Sequence, residues 1–151
     1  MIKIICVGKI KENYLRNAIE EYKKRLSKYT KIEIIELQDE GLMEKEKTIK
    51  IEGEKILKNI NSKDFIVTLE INGKQLTSEE FAGVIDANLI NHSCITFIIG
   101  GSYGLSEEVI KISNYHLSFS KMTFPHQLFR VLLLEQIYRA FKINNNESYH
   151  K

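Results

Sequence analysis

Three stretches of the sequence hold residues whose types and spacing could do chemistry. The first is IIGGSYGLSEE, residues 98–108, where Gly100, Gly101 and Gly104 follow an apolar run. Glycines let backbone N–H groups approach a ligand closely, and in an open α/β sheet ligands sit at the carboxyl ends of strands. The spacing is G-G-x-x-G and no G-K-[ST] follows, so neither a dinucleotide fingerprint nor a phosphate loop is indicated. The same residues satisfy G-x-S-x-G around Ser102, the pattern of a hydrolase nucleophile. No aspartate follows Ser102, so its acid would have to be Glu107, Glu108, Glu135 or Glu147, and no HGGG-type segment precedes it.

The second stretch is SKMTFPH, residues 120–126, which contains the single proline, Pro125, and ends in His126. An imidazole opening a helix beside a polar loop either closes a helix-terminal hydrogen bond or handles a proton or a ligand, and position alone leaves both open. The third is the tail NNNESYHK. Short polar tails usually fray, yet Tyr149, His150 and Lys151 put an aromatic ring, an imidazole and an ammonium in sequence, a set that can stack on a base and contact phosphate. His92, His116, His126 and His150 share no metal spacing, and there is no HExxH or CxxC, so no metal site is expected. Cys6 and Cys94 stand alone in apolar runs and read as buried thiols of a reducing cytoplasm.

The elements that must position these groups follow from periodicity. Ile2 to Val7, Lys31 to Leu37, Phe65 to Ile71, Ile95 to Ile99 and Tyr115 to Phe119 are short runs rich in apolar and β-branched residues, and the spacing predicts five strands. Asn72-Gly73 is expected to close the third. Between them, Leu15, Ala18, Ile19, Tyr22 and Leu26 recur at helical spacing; residues 44–60 form a highly charged helix with a thin apolar stripe, expected on the surface. Thr77 and Glu80 make a capping box, and Ser106 leads a short helix. Pro125 fits the first turn of a last helix over about 126–142. Strand and helix alternate five times, which implies α/β architecture: a parallel sheet with helices on both faces. The last helix is apolar around most of its circumference and needs cover on more than one side, from a central core or from a second copy of the chain.

The chain of 151 residues is 43% apolar and 28% charged, the composition of one soluble globular domain over 1–151, large enough to need no disulfide or structural metal. No run is long enough for a membrane span, and MIKIICVGKI lacks a cleavage site, which points to the cytoplasm. The net charge of +2 divides unevenly: residues 1–60 carry +3, 61–120 carry −4 and 121–151 carry +3. If the basic ends meet they form a surface suited to a polyanion, with Lys23, Lys24, Arg25, Lys28 and Lys31 on its rim.

The segments IKIICVGKIKENY, TLEINGKQLTSEEFA and IIGGSYGLS, and above all LSFSKMTFPHQLFRVLLLEQIYRAFKI with the terminal YHK, resemble the RlmH family of SPOUT-class methyltransferases. The likeness covers nearly the whole chain, and SxxTxPH followed by RVLLxEQxYRA is its most specific part. Residues 39–48 depart from the family pattern in being shorter. The resemblance implies a C-terminal trefoil knot, the SPOUT α/β knot, with S-adenosylmethionine bound in it by Leu69, Gly100, Phe119, Ser120, Lys121, Met122, Thr123 and Phe124. It implies methylation of N3 of a pseudouridine in bacterial large-subunit (23S) ribosomal RNA, the RNA being met in ribosomal particles, by a metal-free homodimer joined through the last helix. His126 and His150 are then the candidate proton acceptors, Tyr149 and Lys151 bind or orient the RNA, and Arg130 and Arg139 could pair with phosphates. The rival classes are a non-enzymatic nucleotide- or RNA-binding module, which needs the pocket but not the tail, and, third, a small serine hydrolase using Ser102.

Overall fold

A computed structural model describes residues 1–41 and 44–151; part of the atypical segment 39–48 therefore lies outside the described residues. The strands are β1 (Ile2–Val7), β2 (Ile32–Leu37), β3 (Phe65–Gln75), β4 (Ile95–Ile99) and β5 (Tyr115–Ser118). The helices are α1 (Asn13–Leu26), α2 (Lys45–Lys58), α3 (Ser78–Asn91), α4 (Glu107–Lys111) and α5 (His126–Asn144). All four strand pairings are parallel, in the order β2-β1-β4-β3-β5. The central strands β1 and β4 are apolar on both faces because both faces are covered. Ile2, Ile4 and Cys6 point to one core, with α1, α3 and α5, while Ile5 and Val7 point to the other, with Ile56 of α2 and Val109 of α4. Helices on both faces of a parallel sheet are therefore observed.

Three local expectations need correction. Asn72-Gly73 does not end the third strand. Leu69 and Lys74 both lie opposite Leu117, so residues 70–73 leave the ladder as a bulge and the strand resumes to Gln75. Gly73 is needed there, because a Cβ would stand 2.7 Å from the backbone carbon of Leu117 and 2.8 Å from that of His116. Helix α2 is not simply a surface element: Thr48, Glu52 and Gly53 are buried with Ile56, and a Cβ on Gly53 would meet Ser106 Cβ at 2.9 Å. Pro125 is the residue that caps α5, with extended ψ of 130°, and not part of its first turn. The capping box is formed as expected, with Glu80 N–H donating to Thr77 Oγ1 at 3.1 Å and Thr77 N–H donating to Glu80 Oε1 at 2.9 Å.

The two basic ends do meet. Tyr22 packs on Tyr138 with ring centroids 6.2 Å apart, Tyr29 stacks on Phe141 at 5.6 Å, and Lys28 and Lys142 share Glu147 at 3.7 and 3.1 Å. The burial of α5 is one-sided in its most exposed turn: Leu133, Leu134 and Ile137 are inside the chain's own core, whereas Leu128 is 40% exposed.

Candidate active site

The carboxyl ends of β3, β4 and β5 open into a cavity of about 430 Å³. Leu69, Ile99 and Leu117 floor it where the strands end. Gly100 and Gly101 follow β4 directly and turn through a bridge between Gly101 and Gly104, whose N–H donates to the Gly101 carbonyl at 3.1 Å. Gly104 has φ of +83°, the left-handed region that glycine tolerates. A Cβ on Gly100 would stand 2.9 Å from the Gly104 carbonyl, so glycine is required there by the turn itself as well as by any ligand beyond it.

The opposite wall is the loop after β5. Ser118 Oγ donates to the Ser120 carbonyl at 3.0 Å and Met122 N–H donates to Ser120 Oγ at 3.0 Å, which folds the loop over the cavity. Phe119 and Phe124 then pack on Phe129 of α5, with centroids 4.8 and 5.9 Å apart. His126, at the start of α5, lines the cavity and lies against Gly8, where an added Cβ would be 3.7 Å from the imidazole Nε2. Behind it, Arg130 Nη2 donates to the Gly8 carbonyl at 3.0 Å and Nη1 to Glu36 Oε2 at 2.7 Å, and Ile10 N–H donates to that same oxygen at 2.9 Å. Arg130 is 0% exposed, so it braces the β1–α1 connection and cannot contact phosphate as the sequence reading allowed.

The tail is ordered on its own chain. Tyr149 packs edge-on against Tyr138 with centroids 4.9 Å apart, the Arg139 guanidinium sits 4.8 Å over its ring, and its hydroxyl donates to Glu135 Oε1 at 3.4 Å. Burial and the Glu135 charge push the Tyr149 phenol up. His150 Nδ1 accepts from Arg139 Nη1 at 3.0 Å, which leaves its proton on Nε2, donating to Glu79 Oε1 at 2.6 Å. Both ring nitrogens are thus engaged. Arg139 is committed to Glu135 and His150, and its hydrogen bond to Glu135 raises its pKa, so it too is a bracing cation. None of Tyr149, His150 and Lys151 lines the cavity of its own chain.

Residues 1–150 match the family model described as "Predicted SPOUT methyltransferase". The chain belongs to the SPOUT methyltransferase family. It is 57% identical over 157 aligned residues to "Ribosomal RNA large subunit methyltransferase H" of Clostridium botulinum (strain Langeland), covering 99% of each. It is 56% identical to the "Putative ribosomal RNA large subunit methyltransferase H" of Methanococcus maripaludis, again over 99% of both. Among solved structures, a probable methylase family protein from Haemophilus influenzae superposes with a TM-score of 0.58 over 99% of this chain and 70% of that one. At 15% identity that is a likeness of fold.

In this SPOUT methyltransferase seven of the eight residues expected around a cofactor surround one cavity: Leu69, Gly100, Phe119, Ser120, Met122, Thr123 and Phe124. Lys121 is exposed and does not line it. Of the four expected at the chemistry, His126 lines the cavity and the three tail residues do not. Ser102 lies at the exposed tip of the Gly101–Gly104 turn, five residues before α4 begins, and no imidazole hydrogen-bonds it among the described residues; no nucleophile elbow is formed. Among the described residues no cluster of His, Cys, Asp and Glu is arranged to hold a metal, and no helix is long and apolar enough to cross a membrane. Burial pushes the Cys6 thiol up to about 12 and raises Cys94 as well, which makes both unreactive.

Two acids were missed. Glu70, in the β3 bulge, lines the cavity; Thr68 Oγ1 donates to its Oε2 at 2.6 Å and His116 Nδ1 bonds the same oxygen. The only sequence trace of this is the T-x-E spacing at a strand end. Glu52, on α2, is 2% exposed; its Oε2 accepts from Glu40 N–H at 3.1 Å and its Oε1 has no partner among the described residues. A Cβ on Gly101 would stand 3.0 Å from that oxygen, so Glu52 backs the glycine turn from the far side of the sheet. Desolvation, and then the neighbouring Asp39, raise the Glu52 pKa.

Proposed function

We propose that this chain, acting as one domain over 1–151, moves the sulfonium methyl of S-adenosylmethionine to N3 of a pseudouridine in bacterial large-subunit (23S) ribosomal RNA, in the cytoplasm. The observation that carries the substrate is the 55–57% identity, along whole chains, to proteins named ribosomal RNA large subunit methyltransferase H. The cavity supports the cofactor. Its volume falls in the range of small-molecule sites, and its walls combine aromatic rings, backbone groups of a tight glycine turn and few charges. Bound there, the cofactor supplies the electrophilic methyl group; the protein must align the acceptor, exclude water and take the N3 proton. Phe119 and Phe124 close the apolar wall, and the polar backbone of residues 119–124 is available to an adenine edge. His126 is the imidazole at the cavity and serves as proton acceptor, ahead of His150, whose nitrogens are both occupied.

The reading includes a homodimer built on α5 and a knotted C-terminal segment. Leu128 on α5 is an exposed apolar side chain, and Ile71 and Met122 are exposed apolar residues that line the cavity. The tail, which does not line its own cavity and is held against α5 and α3, then presents Tyr149, His150 and Lys151 to the partner's cavity, where they meet the RNA. To test the function, the protein is incubated with labelled S-adenosylmethionine and either ribosomes lacking the modification, separated subunits or naked ribosomal RNA, and the labelled nucleotide is mapped. Label on one pseudouridine of the large-subunit RNA is expected. Cofactor binding without transfer to any of these substrates overturns the assignment and leaves an RNA- or nucleotide-binding module.

A further inference from the structure

The bulge in β3 sets a carboxylate on a wall that otherwise carries little charge. Because Leu69 and Lys74 share one partner on β5, residues 70–73 swing out of the ladder and Glu70 reaches the cavity. It is the only carboxylate among the described lining residues, and His126 is the only other ionisable one. The side chain is held from below. Thr68 Oγ1, itself 2.8 Å from Ser113 Oγ, donates to Glu70 Oε2, and His116 Nδ1 bonds the same oxygen. Glu70 Oε1 makes no hydrogen bond among the described residues. The bonds with Thr68 and His116 account for one oxygen; the other belongs to a side chain that lines the cavity and has no partner among the described residues. Removing a cation from water into such a cavity is costly unless an anion meets it, and a charge-assisted hydrogen bond is the strongest form of that contact.

We propose that Glu70 is the cation-recognising residue of the cavity, with Oε1 accepting from the α-ammonium group of S-adenosylmethionine while Thr68 and His116 position the carboxylate. This rests on the cofactor assignment above. The bound ligand carries a sulfonium, an ammonium and a carboxylate, so one protein carboxylate brings the filled cavity to neutrality. The same contact would select against adenosine derivatives that lack the amino-acid part.

Glu70→Gln keeps the size and an acceptor oxygen and removes the charge. Calorimetric titration of the wild type and the variant would use three probes: S-adenosylmethionine; S-adenosylhomocysteine, which keeps the ammonium and lacks the sulfonium; and 5′-methylthioadenosine, which lacks both. The variant should bind the first two at least about tenfold more weakly, a loss of about 1.4 kcal/mol, and the third within about twofold. Thr68→Val, which removes a donor to Oε2, should reproduce that ligand pattern with a smaller loss, a selectivity that a merely structural role would not show. Unchanged binding of the first two probes to Glu70→Gln, or an equal loss of all three, overturns the proposal. A loss confined to S-adenosylmethionine moves the contact to the sulfonium and overturns the ammonium assignment. A wild type that binds none of the probes sinks the cofactor reading itself, a different result from a wild type that binds and a variant that binds equally well.

Discussion

Glu52→Gln should stabilise the protein, and increasingly so as pH rises. The carboxylate is 2% exposed; among the described residues one oxygen accepts only from Glu40 N–H and the other has no donor, and Asp39 adds a second acidic group nearby. Lys55 does not relieve it, since that ammonium is paired with Glu40. A buried acceptor left unsatisfied costs about 1–3 kcal/mol. The amide has nearly the same shape, can keep the bond from Glu40 N–H through its oxygen, and presents an N–H₂ toward Asp39. The gain should be about 1–3 kcal/mol at pH 8, or roughly 3–9 °C in Tm for a chain of this size. The pH dependence follows from the raised pKa. Native Glu52 binds its proton more tightly than the unfolded chain does, so its contribution is fully present below the unfolded carboxylate value of about 4.3 and is lost as pH rises through the native value. Wild type and variant should therefore converge near pH 4 and separate toward pH 8. Urea unfolding at pH 4, 6 and 8 measures the difference directly. A variant less stable than wild type at pH 8, or a gap independent of pH, would refute the argument and show that the carboxylate is needed in its charged form.

Gly73→Ala should destabilise by about 1–3 kcal/mol in urea melts, because the added Cβ meets strand backbone that cannot rotate away; since the bulge it closes carries Glu70, cofactor affinity should fall with it. Leu128→Glu should convert a dimer to a monomer in sedimentation without loss of helix, whereas Leu133→Glu and Leu134→Glu, at positions 0% exposed within one chain, should unfold it and report nothing about dimerisation; a wild type that sediments as a monomer at micromolar concentration removes the premise. Deleting residues 149–151 should spare cofactor binding measured by calorimetry and abolish transfer to RNA, and activity should return in mixed dimers of the deletion with Gly100→Val if each tail serves its partner's cavity. Failure to recover activity when heterodimers are shown to form excludes the composite site.

The alternation of β-branched runs with amphipathic segments made the five strands and their intervening helices legible, because burial on both faces of β1 and β4 leaves continuous apolar sequence. Where the reading failed, a tertiary contact had overruled a local signal. Asn72-Gly73 has turn chemistry, and it does bend the chain, but β5 stands beside it and recaptures the strand at Lys74. Helix α2 looks superficial because its stripe is thin, yet Gly53 lets Ser106 approach within contact distance and draws Glu52 inside. Glycine and glutamate both read as exposed in a charged helix, and only the position of α4 reverses that.

The site divides along the same line. Gly100 was legible from a glycine-rich turn directly after an apolar strand, whereas the 119–124 loop came from the family resemblance; both line the cavity because they flank strand ends. Arg130 was read as a cation for phosphate because its spacing on α5 says nothing of Glu36, 94 positions away, or of the Gly8 carbonyl. Glu70 was passed over because its partner His116 is 46 residues distant and the bulge that turns it into the cavity exists only once β3 and β5 are paired. Both contacts are long-range, with opposite consequences. Arg130 is sealed in and spends its charge on holding the wall behind His126, whereas Glu70 lines the cavity and keeps one oxygen without a partner among the described residues. The difference in exposure, and not the presence of a charge, is what separates the brace at Arg130 from the ligand contact we propose for Glu70.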